Sequence, residues 1–176
     1  MIFNLYVSDL YEFTPSLMEC VQYADDTSLY SYFNVKELDS RVVDVNETLV
    51  SITNWSQDSN LALNPAKTKC MLFSTPQISS YHSLAERPIH LSVGDKPLES
   101  VHSIKLLGVH MTNTLKRDDH VEHLTSSCYG VLLALRKIKN FTNYHLRKHL
   151  VECLVLSRLD FSDIIFHPLT DYLLKG

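Results

Sequence analysis

The chain has 176 residues, of which 45% are hydrophobic and 20% are charged, and it carries a net charge of −4. This length is sufficient for one domain, or for one domain and a small appendage, and the composition excludes a disordered chain. The sequence has no apolar run of membrane-spanning length, and its N-terminus lacks a basic segment followed by an apolar core. We therefore expect an intracellular protein, nuclear or cytoplasmic, that is not secreted and has no membrane partner.

The four cysteines are widely separated, and none belongs to a Cys-x-x-Cys pair. This distribution predicts buried free thiols rather than disulfides or a zinc site. The charges are distributed unevenly. Residues 1–60 contain two basic and ten acidic side chains, whereas residues 116–158 contain eight basic and four acidic ones. An acidic half suits metal binding and a basic half suits a phosphate backbone, although two solvated faces would give the same pattern.

Two adjacent carboxylates, Asp25 and Asp26, lie between β-forming residues in the stretch Val21–Tyr30. This pattern predicts two short strands joined by a tight turn, with the acids at its tip. Adjacent like charges repel each other, so such a turn needs solvent or a cation beside it. Hard ions such as Mg²⁺ prefer carboxylate oxygens, but a solvated acidic turn is the alternative explanation.

An amphipathic helix is predicted directly after this hairpin, because apolar residues recur at intervals of four and three. Asn34 and Glu37 predict a capping box at its start, and Asn60 predicts its end. Thr48 falls among the polar residues outside the apolar stripe, and we expect the stripe to cover the hairpin. The stripe comprises Leu38, Val42, Val45, Leu49, Ile52 and Trp55.

Short strands and loops are predicted in the middle of the chain. Residues 70–73 predict a buried strand, and residues 74–88 predict a loop because they contain prolines and several serines. Residues 89–100 predict a hairpin around the Gly94-Asp95 turn. Gly108 interrupts a further strand, at residues 103–111, which indicates a turn or a close backbone approach.

Two helices are predicted after residue 117. The first has Asp118 or Asp119 as its N-cap and basic residues in its last turn. The second runs from about Asn143 to Ser157, with an inward face of Leu146, Leu150, Cys153 and Leu154. The charge asymmetry predicts nucleic-acid binding through five basic residues of this region: Arg136, Lys137, Lys139, Arg147 and Lys148.

Two histidine pairs, His120/His123 and His145/His149, have the spacing of ligands on one helix face. The known zinc motif also has a Glu beside the first histidine and a third ligand elsewhere, and neither pair has that context. We therefore expect surface or phosphate-facing histidines.

Four stretches resemble motifs of reverse transcriptases from retrotransposons that lack long terminal repeats, in the same order and at the same spacing. Tyr23-Ala24-Asp25-Asp26 resembles the Tyr-Ala-Asp-Asp box of that family. Met1–Leu10 resembles the end of the preceding motif, Asn60–Ser74 the following motif, and Lys105–Val109 the motif after that. From the first to the last, the four stretches extend over residues 1–109, the larger part of the chain.

The resemblance implies an α+β fold: the later part of a polymerase palm in residues 1–112, then a helical thumb-like segment in residues 113–176. The implied activity is RNA-directed DNA synthesis, a nucleotidyl transfer to a primer 3′-OH on an RNA template with Mg²⁺. The family's fingers and its other metal-binding Asp would precede Met1, so we expect the chain to be inactive alone. The alternatives are a non-catalytic nucleic-acid-binding module and a retrotransposon remnant whose exposed apolar palm surface binds a partner protein.

The resemblance also implies roles for individual residues. Asp25 would be the principal metal ligand and catalytic carboxylate, and Asp26 the weaker one. Lys67 matches the family lysine that neutralises the leaving pyrophosphate, with Lys69 as the alternative. The residues implied to lie near the primer and the nucleotide are Tyr23, Ala24 and Gly108.

Overall fold

The structure is a computed structural model that describes residues 2–84 and 87–161. It contains both helices and antiparallel strand pairs, which confirms the α+β class. The chain divides into two compact units, the first formed by residues 1–71 and 75–101, the second by residues 72–74 and 102–176. The predicted boundary between palm and thumb at residue 112 stays a prediction. Among the described residues, no helix has both the length and the apolarity needed to cross a bilayer.

The first unit consists of short elements arranged around one long helix. Its strands and helices in chain order are α1 (Ile2–Tyr6), β1 (Glu19–Tyr23), β2 (Asp26–Tyr30), α2 (Leu38–Asp58), β3 (Lys69–Cys70), α3 (Pro76–Tyr81), β4 (Ser92–Val93), β5 (Lys96–Pro97) and β6 (Glu99–Ser100). Two 3₁₀ turns, Leu10–Phe13 and Val35–Glu37, precede β1 and α2 respectively.

Strands β1 and β2 form the predicted hairpin. They pair antiparallel from Glu19 opposite Tyr30 to Tyr23 opposite Asp26, which leaves Ala24 and Asp25 as a two-residue turn. Ala24 has a φ of 53°. A positive φ at the first of two central residues is typical of a type II′ turn, whose twist matches that of the flanking strands.

Helix α2 covers one face of this hairpin, as the sequence predicted. Ile52 and Trp55 are buried in a cluster against which Cys20 of β1 and Leu29 of β2 pack. On the opposite face, Val21 and Tyr23 are exposed. Trp55 is therefore a core residue, and its burial joins the helix to the strands.

The ends of α2 follow from local capping chemistry. The predicted capping box lies at the start of the 3₁₀ turn Val35–Glu37 that leads into α2, where the backbone N–H of Asn34 donates to Oε2 of Glu37 at 3.3 Å, and the N-cap of α2 itself is Glu37. At the other end, Asn60 has a φ of 52° and the backbone N–H of Leu61 donates to the carbonyl of Ser56 at 2.7 Å. This is a Schellman motif, which satisfies the last carbonyls of the helix.

Thr48 corrects the predicted polar face of α2, because it is only 4% exposed. Its Oγ1 donates to the carbonyl of Asp44 at 2.9 Å, and a hydroxyl satisfied in this way can be buried among apolar neighbours. The apolar stripe is therefore wider than the intervals of four and three indicated.

Three predictions for residues 70–100 were incomplete. The predicted strand at 70–73 is only the two-residue β3, which pairs parallel with β6, and Phe73 is exposed. The predicted loop contains α3, whose N-cap Thr75 accepts from the backbone N–H of Ile78 at 3.3 Å. Thr followed by Pro at the first helical position is a local helix signal that explains this start. The hairpin at Gly94 is confirmed as β4 and β5 but is shorter than predicted.

The second unit combines a hairpin with helices. Its elements are β7 (Ser103–Leu106), β8 (Val109–Thr112), α4 (Asp118–Lys137), a 3₁₀ turn (Lys139–Phe141), α5 (Tyr144–Val151), a π-helical segment (Glu152–Leu156) and α6 (Ser157–Asp160). The interruption predicted at Gly108 is the turn of the β7–β8 hairpin, in which Leu107 and Gly108 both have a positive φ. Residues 162–176 of the predicted thumb-like segment lie outside the described residues.

The helices of the second unit differ from prediction at two points. The N-cap of α4 is Arg117, and Asp118 and Asp119 lie in its first turn, where their charge still suits the helix dipole. In the second helix the π-helical segment rotates the side chains that follow it. Val155 of this segment is buried, whereas three residues predicted to face inward are exposed: Leu146, Cys153 and Leu154.

All four cysteines are free thiols. Cys70 and Cys128 are buried and Cys20 is half-buried, as expected, whereas the prediction of burial was wrong for Cys153. Cys128 is the buried hydrophobic residue of α4.

Candidate functional site

The acidic turn connects β1 and β2 at the tip of their hairpin. Asp25 occupies the turn and Asp26 is the first residue of β2, and both side chains are exposed. Residues paired across an antiparallel ladder project to the same face of the sheet. Asp26 therefore shares the outer face with Tyr23, opposite the face on which Cys20 and Leu29 pack.

The carboxylates of Asp25 and Asp26 are oxygen donors of the type that Mg²⁺ prefers. Because both are exposed, water and substrate phosphates could complete the coordination of an ion held there. Among the described residues, no group of three or more His, Cys, Asp or Glu side chains is arranged to hold a metal ion. The turn thus fits one part of a magnesium site.

The β1–β2 hairpin is held in place by contacts within the first unit. Nε2 of Gln22 donates to the carbonyl of Val7 at 3.2 Å, and Cys20 packs against the buried cluster of α2. At the far end of the ladder, a hydrogen bond with Glu19 raises the pKa of Tyr30, its cross-strand partner. The acidic turn therefore belongs to a hairpin whose first strand is fixed by contacts with the rest of the first unit.

The structure distinguishes the two candidate lysines. The ammonium group of Lys69 forms an ion pair with the carboxylate of Glu99. Lys67 is exposed in a turn where its backbone N–H donates to the carbonyl of Asn64 at 3.1 Å. Within the described part of the chain, its ammonium group has no carboxylate at ion-pair distance. Lys67 is the one available to an incoming anion.

Gly108 belongs to the second unit, at the tip of the β7–β8 hairpin. Its φ is 90°, and a Cβ at this position would lie 2.9 Å from Cε1 of Phe161. The turn, one of the two predicted alternatives, is therefore present, and the glycine is also approached by a side chain. An alanine at this position would be strained by the positive φ and would meet the ring of Phe161.

The five predicted nucleic-acid-binding residues fall into two groups. Arg136, Lys137 and Lys139 are exposed, and none of them forms an ion pair with another described residue. Arg147 instead donates from Nη1 to the carbonyls of Lys139 at 2.6 Å and Thr142 at 3.0 Å. Lys148 lies 3.7 Å from Glu152. The unpaired positive charge is thus concentrated at the end of α4 and in the turn that follows.

A cluster of three histidines was missed by sequence reasoning. His110 of β8 stacks on His123 of α4, with ring centroids 4.1 Å apart, and its backbone N–H donates to Nδ1 of His120 at 3.3 Å. Burial is the main cause that lowers the pKa of both His110 and His120. The expectation of surface histidines was wrong for His120, which is buried. The spacing of His120 and His123 on one helix gave no indication that His110 completes the cluster.

No family model matches the chain, and no curated protein and no solved structure is significantly similar to it.

Proposed function

We propose that this chain is a segment of a reverse transcriptase domain, an RNA-directed DNA polymerase of the non-LTR retrotransposon type. The observation that carries the proposal is the Tyr-Ala-Asp-Asp sequence at the tip of an antiparallel hairpin that helix α2 covers from behind. This arrangement presents two exposed carboxylates on an anchored support. Its partners in this proposal are an RNA template and a DNA primer.

In this function, Asp25 and Asp26 would hold Mg²⁺. The ion would supply charge stabilisation to the attacking 3′-oxygen and the leaving pyrophosphate. Tyr23, on the same outer face as Asp26, presents an exposed ring to the primer end. Lys67 offers an uncompensated positive charge to the pyrophosphate.

We further propose that the isolated chain binds the template-primer without extending it. Asp25 and Asp26 approach a metal from a single turn, whereas a two-metal site takes carboxylates from separate strands. Losing such a ligand costs several kcal/mol of transition-state stabilisation, and each 1.4 kcal/mol is about tenfold in rate. Extension of a primer by the purified chain, abolished by Asp25→Asn, would contradict this part of the proposal.

A direct test measures metal binding at the turn rather than activity. Mn²⁺, which takes the same oxygen ligands as Mg²⁺, is titrated into the chain with an RNA–DNA template-primer and followed by electron paramagnetic resonance. We expect binding that Asp25→Asn removes and Asp26→Asn weakens. Asp95→Asn is the matched control, because Asp95 is also the exposed second residue of a two-residue hairpin turn. Equal losses at Asp25 and Asp95, or none at either, would overturn the proposal.

A second candidate function is non-catalytic nucleic-acid binding through the second unit. The unpaired charges of Arg136, Lys137 and Lys139 favour it. Binding of this kind weakens steeply as salt rises, because each neutralised phosphate releases counterions. Reversing the charge of these three residues should reduce both the affinity and the salt dependence, and Asp25→Asn should change neither. Affinity that stays flat between low and physiological salt would exclude it.

A further inference from the structure

We propose that Phe141 and Tyr144, in the turn between α4 and α5, form a stacking platform for unpaired bases of single-stranded nucleic acid. The inference rests on the proposed nucleic-acid function and assigns it a contact surface and a form of ligand. We call Phe141 and Tyr144 the aromatic platform.

The two rings have an exposure that core packing does not explain. Phe141 is 88% exposed, the highest value among the large hydrophobic residues described, and Tyr144 is 67% exposed. Tyr144 makes a T-shaped contact with His145, with ring centroids 5.8 Å apart. Both aromatic faces are therefore accessible to a ligand.

The turn that carries the aromatic platform is held by several hydrogen bonds. The backbone N–H of Phe141 donates to the carbonyl of Ile138 at 2.9 Å, and Oδ1 of Asn143 accepts from the backbone N–H of Leu146 at 2.8 Å. Nη1 of Arg147 bridges the carbonyls of Lys139 and Thr142. A platform ordered before binding loses little conformational entropy when a ligand arrives.

The charge around the aromatic platform complements a phosphate backbone. Residues 123–151 contain five Lys or Arg and no Asp or Glu. Arg136, Lys137 and Lys139 precede the platform directly, are exposed, and form no ion pair with another described residue. Basic side chains beside exposed aromatic rings are the combination that binds single strands without sequence preference.

Base stacking selects the single-stranded form of the ligand. In a duplex the faces of the bases are already covered by their neighbours, whereas an unpaired base has a free face for Phe141 or Tyr144. Phosphate contacts are available in both forms. The aromatic platform should therefore add affinity for single strands alone.

The experiment measures fluorescence anisotropy of a labelled single strand of about 20 nucleotides and of the matching duplex, both as DNA and as RNA. Each of Phe141→Ala and Tyr144→Ala should weaken single-strand binding about 5- to 140-fold, the range that base–aromatic stacking gives. Duplex binding should change by less than about twofold. Phe141→Trp should retain single-strand affinity, because it keeps an aromatic face.

The matched control is Tyr81→Ala, since Tyr81 is 85% exposed on α3 in the first unit. It should leave both affinities unchanged. If the double variant at Phe141 and Tyr144 binds single strands as tightly as the original chain, the platform is refuted while the proposed function stands. If duplex affinity falls equally, the rings act on the fold or on phosphate binding, and the inference is again overturned. If the original chain binds no nucleic acid, both this inference and the second candidate function are overturned.

Discussion

The imidazole of His110, on β8, lies parallel to that of His123, on α4, with the ring planes at 16° and the centroids 4.1 Å apart. The second contact, from the backbone N–H of His110 to Nδ1 of His120, joins the same two elements. Stacked imidazoles at this distance tolerate at most one positive charge well, because two would repel each other. The contact between hairpin and helix is therefore weaker when both rings are charged than when one of them is neutral.

The first prediction is that the unfolding temperature falls as the pH is lowered from about 7.5 to about 5.5. Burial first, and then the charge of His123, lowers the pKa of His110 and His120 below the ordinary value of 6.5. Lys105 acts in the same direction on His110, and Asp119 opposes it. The unfolded chain then binds more protons in this window, so stability is complete above pH 6.5 and is lost as the pH falls below it.

Thermal unfolding followed by circular dichroism across this pH range tests the histidine cluster. His123→Gln should flatten the pH dependence, because it removes a repelling charge from His110 and His120. His145→Gln changes an exposed histidine on α5 and should leave the profile intact. A profile that keeps its slope in His123→Gln would contradict the explanation.

The second prediction concerns Ala24, whose φ of 53° disfavours any residue with a Cβ. Ala24→Gly should raise the free energy of unfolding by about 0.5–1 kcal/mol, since relief of strain outweighs the greater freedom of Gly in the unfolded chain. Gly94→Ala is the control, because it makes the opposite substitution at another turn residue with a positive φ. A Cβ at Gly94 would have nothing within 4 Å, so its φ of 58° should make that change destabilising by about 1 kcal/mol. Denaturant unfolding measures the change in the free energy of unfolding for both variants. Changes of the same sign would contradict the prediction.

The third prediction is that Gly108→Ala destabilises the second unit by about 1–3 kcal/mol. Its φ of 90° strains an alanine, and the new Cβ would meet the ring of Phe161 at 2.9 Å. Adding Phe161→Leu should recover only the steric part of the loss. Gly130→Ala, in α4 and with nothing within 4 Å, should instead stabilise by about 0.5–1 kcal/mol. Chemical denaturation of the three variants is the measurement, and complete recovery by Phe161→Leu would show that backbone strain is negligible.

The fourth prediction is that Trp55→Ala destabilises the chain by about 3–5 kcal/mol. The indole is buried in the cluster that receives Cys20 and Leu29, so its removal leaves a cavity beneath the β1–β2 hairpin. Val50→Ala, on the exposed side of the same helix, should cost less than about 0.5 kcal/mol. Similar losses at the two positions in urea unfolding would show that α2 does not support the hairpin through this face.

The sequence alone determined the features that depend on neighbours in the chain. Alternation of β-formers around Asp25 placed the hairpin, and the apolar intervals of α2 placed its buried face. Asn34 and Asn60 marked the ends of that helix because capping satisfies backbone groups only a few residues away. The glycine at 108 marked a turn for an equally local reason, the positive φ that the turn requires.

The tertiary structure decided what depends on residues distant in the sequence. His110 joins His120 and His123 only because β8 packs on α4, and Lys69 differs from Lys67 only because Glu99 lies beside it. Arg147, predicted to contact phosphate, instead donates hydrogen bonds to carbonyls of the preceding turn. Periodicity records which side chains are apolar. It contains no information on which distant partner satisfies a buried or charged group, and that pairing is fixed only when the elements pack together.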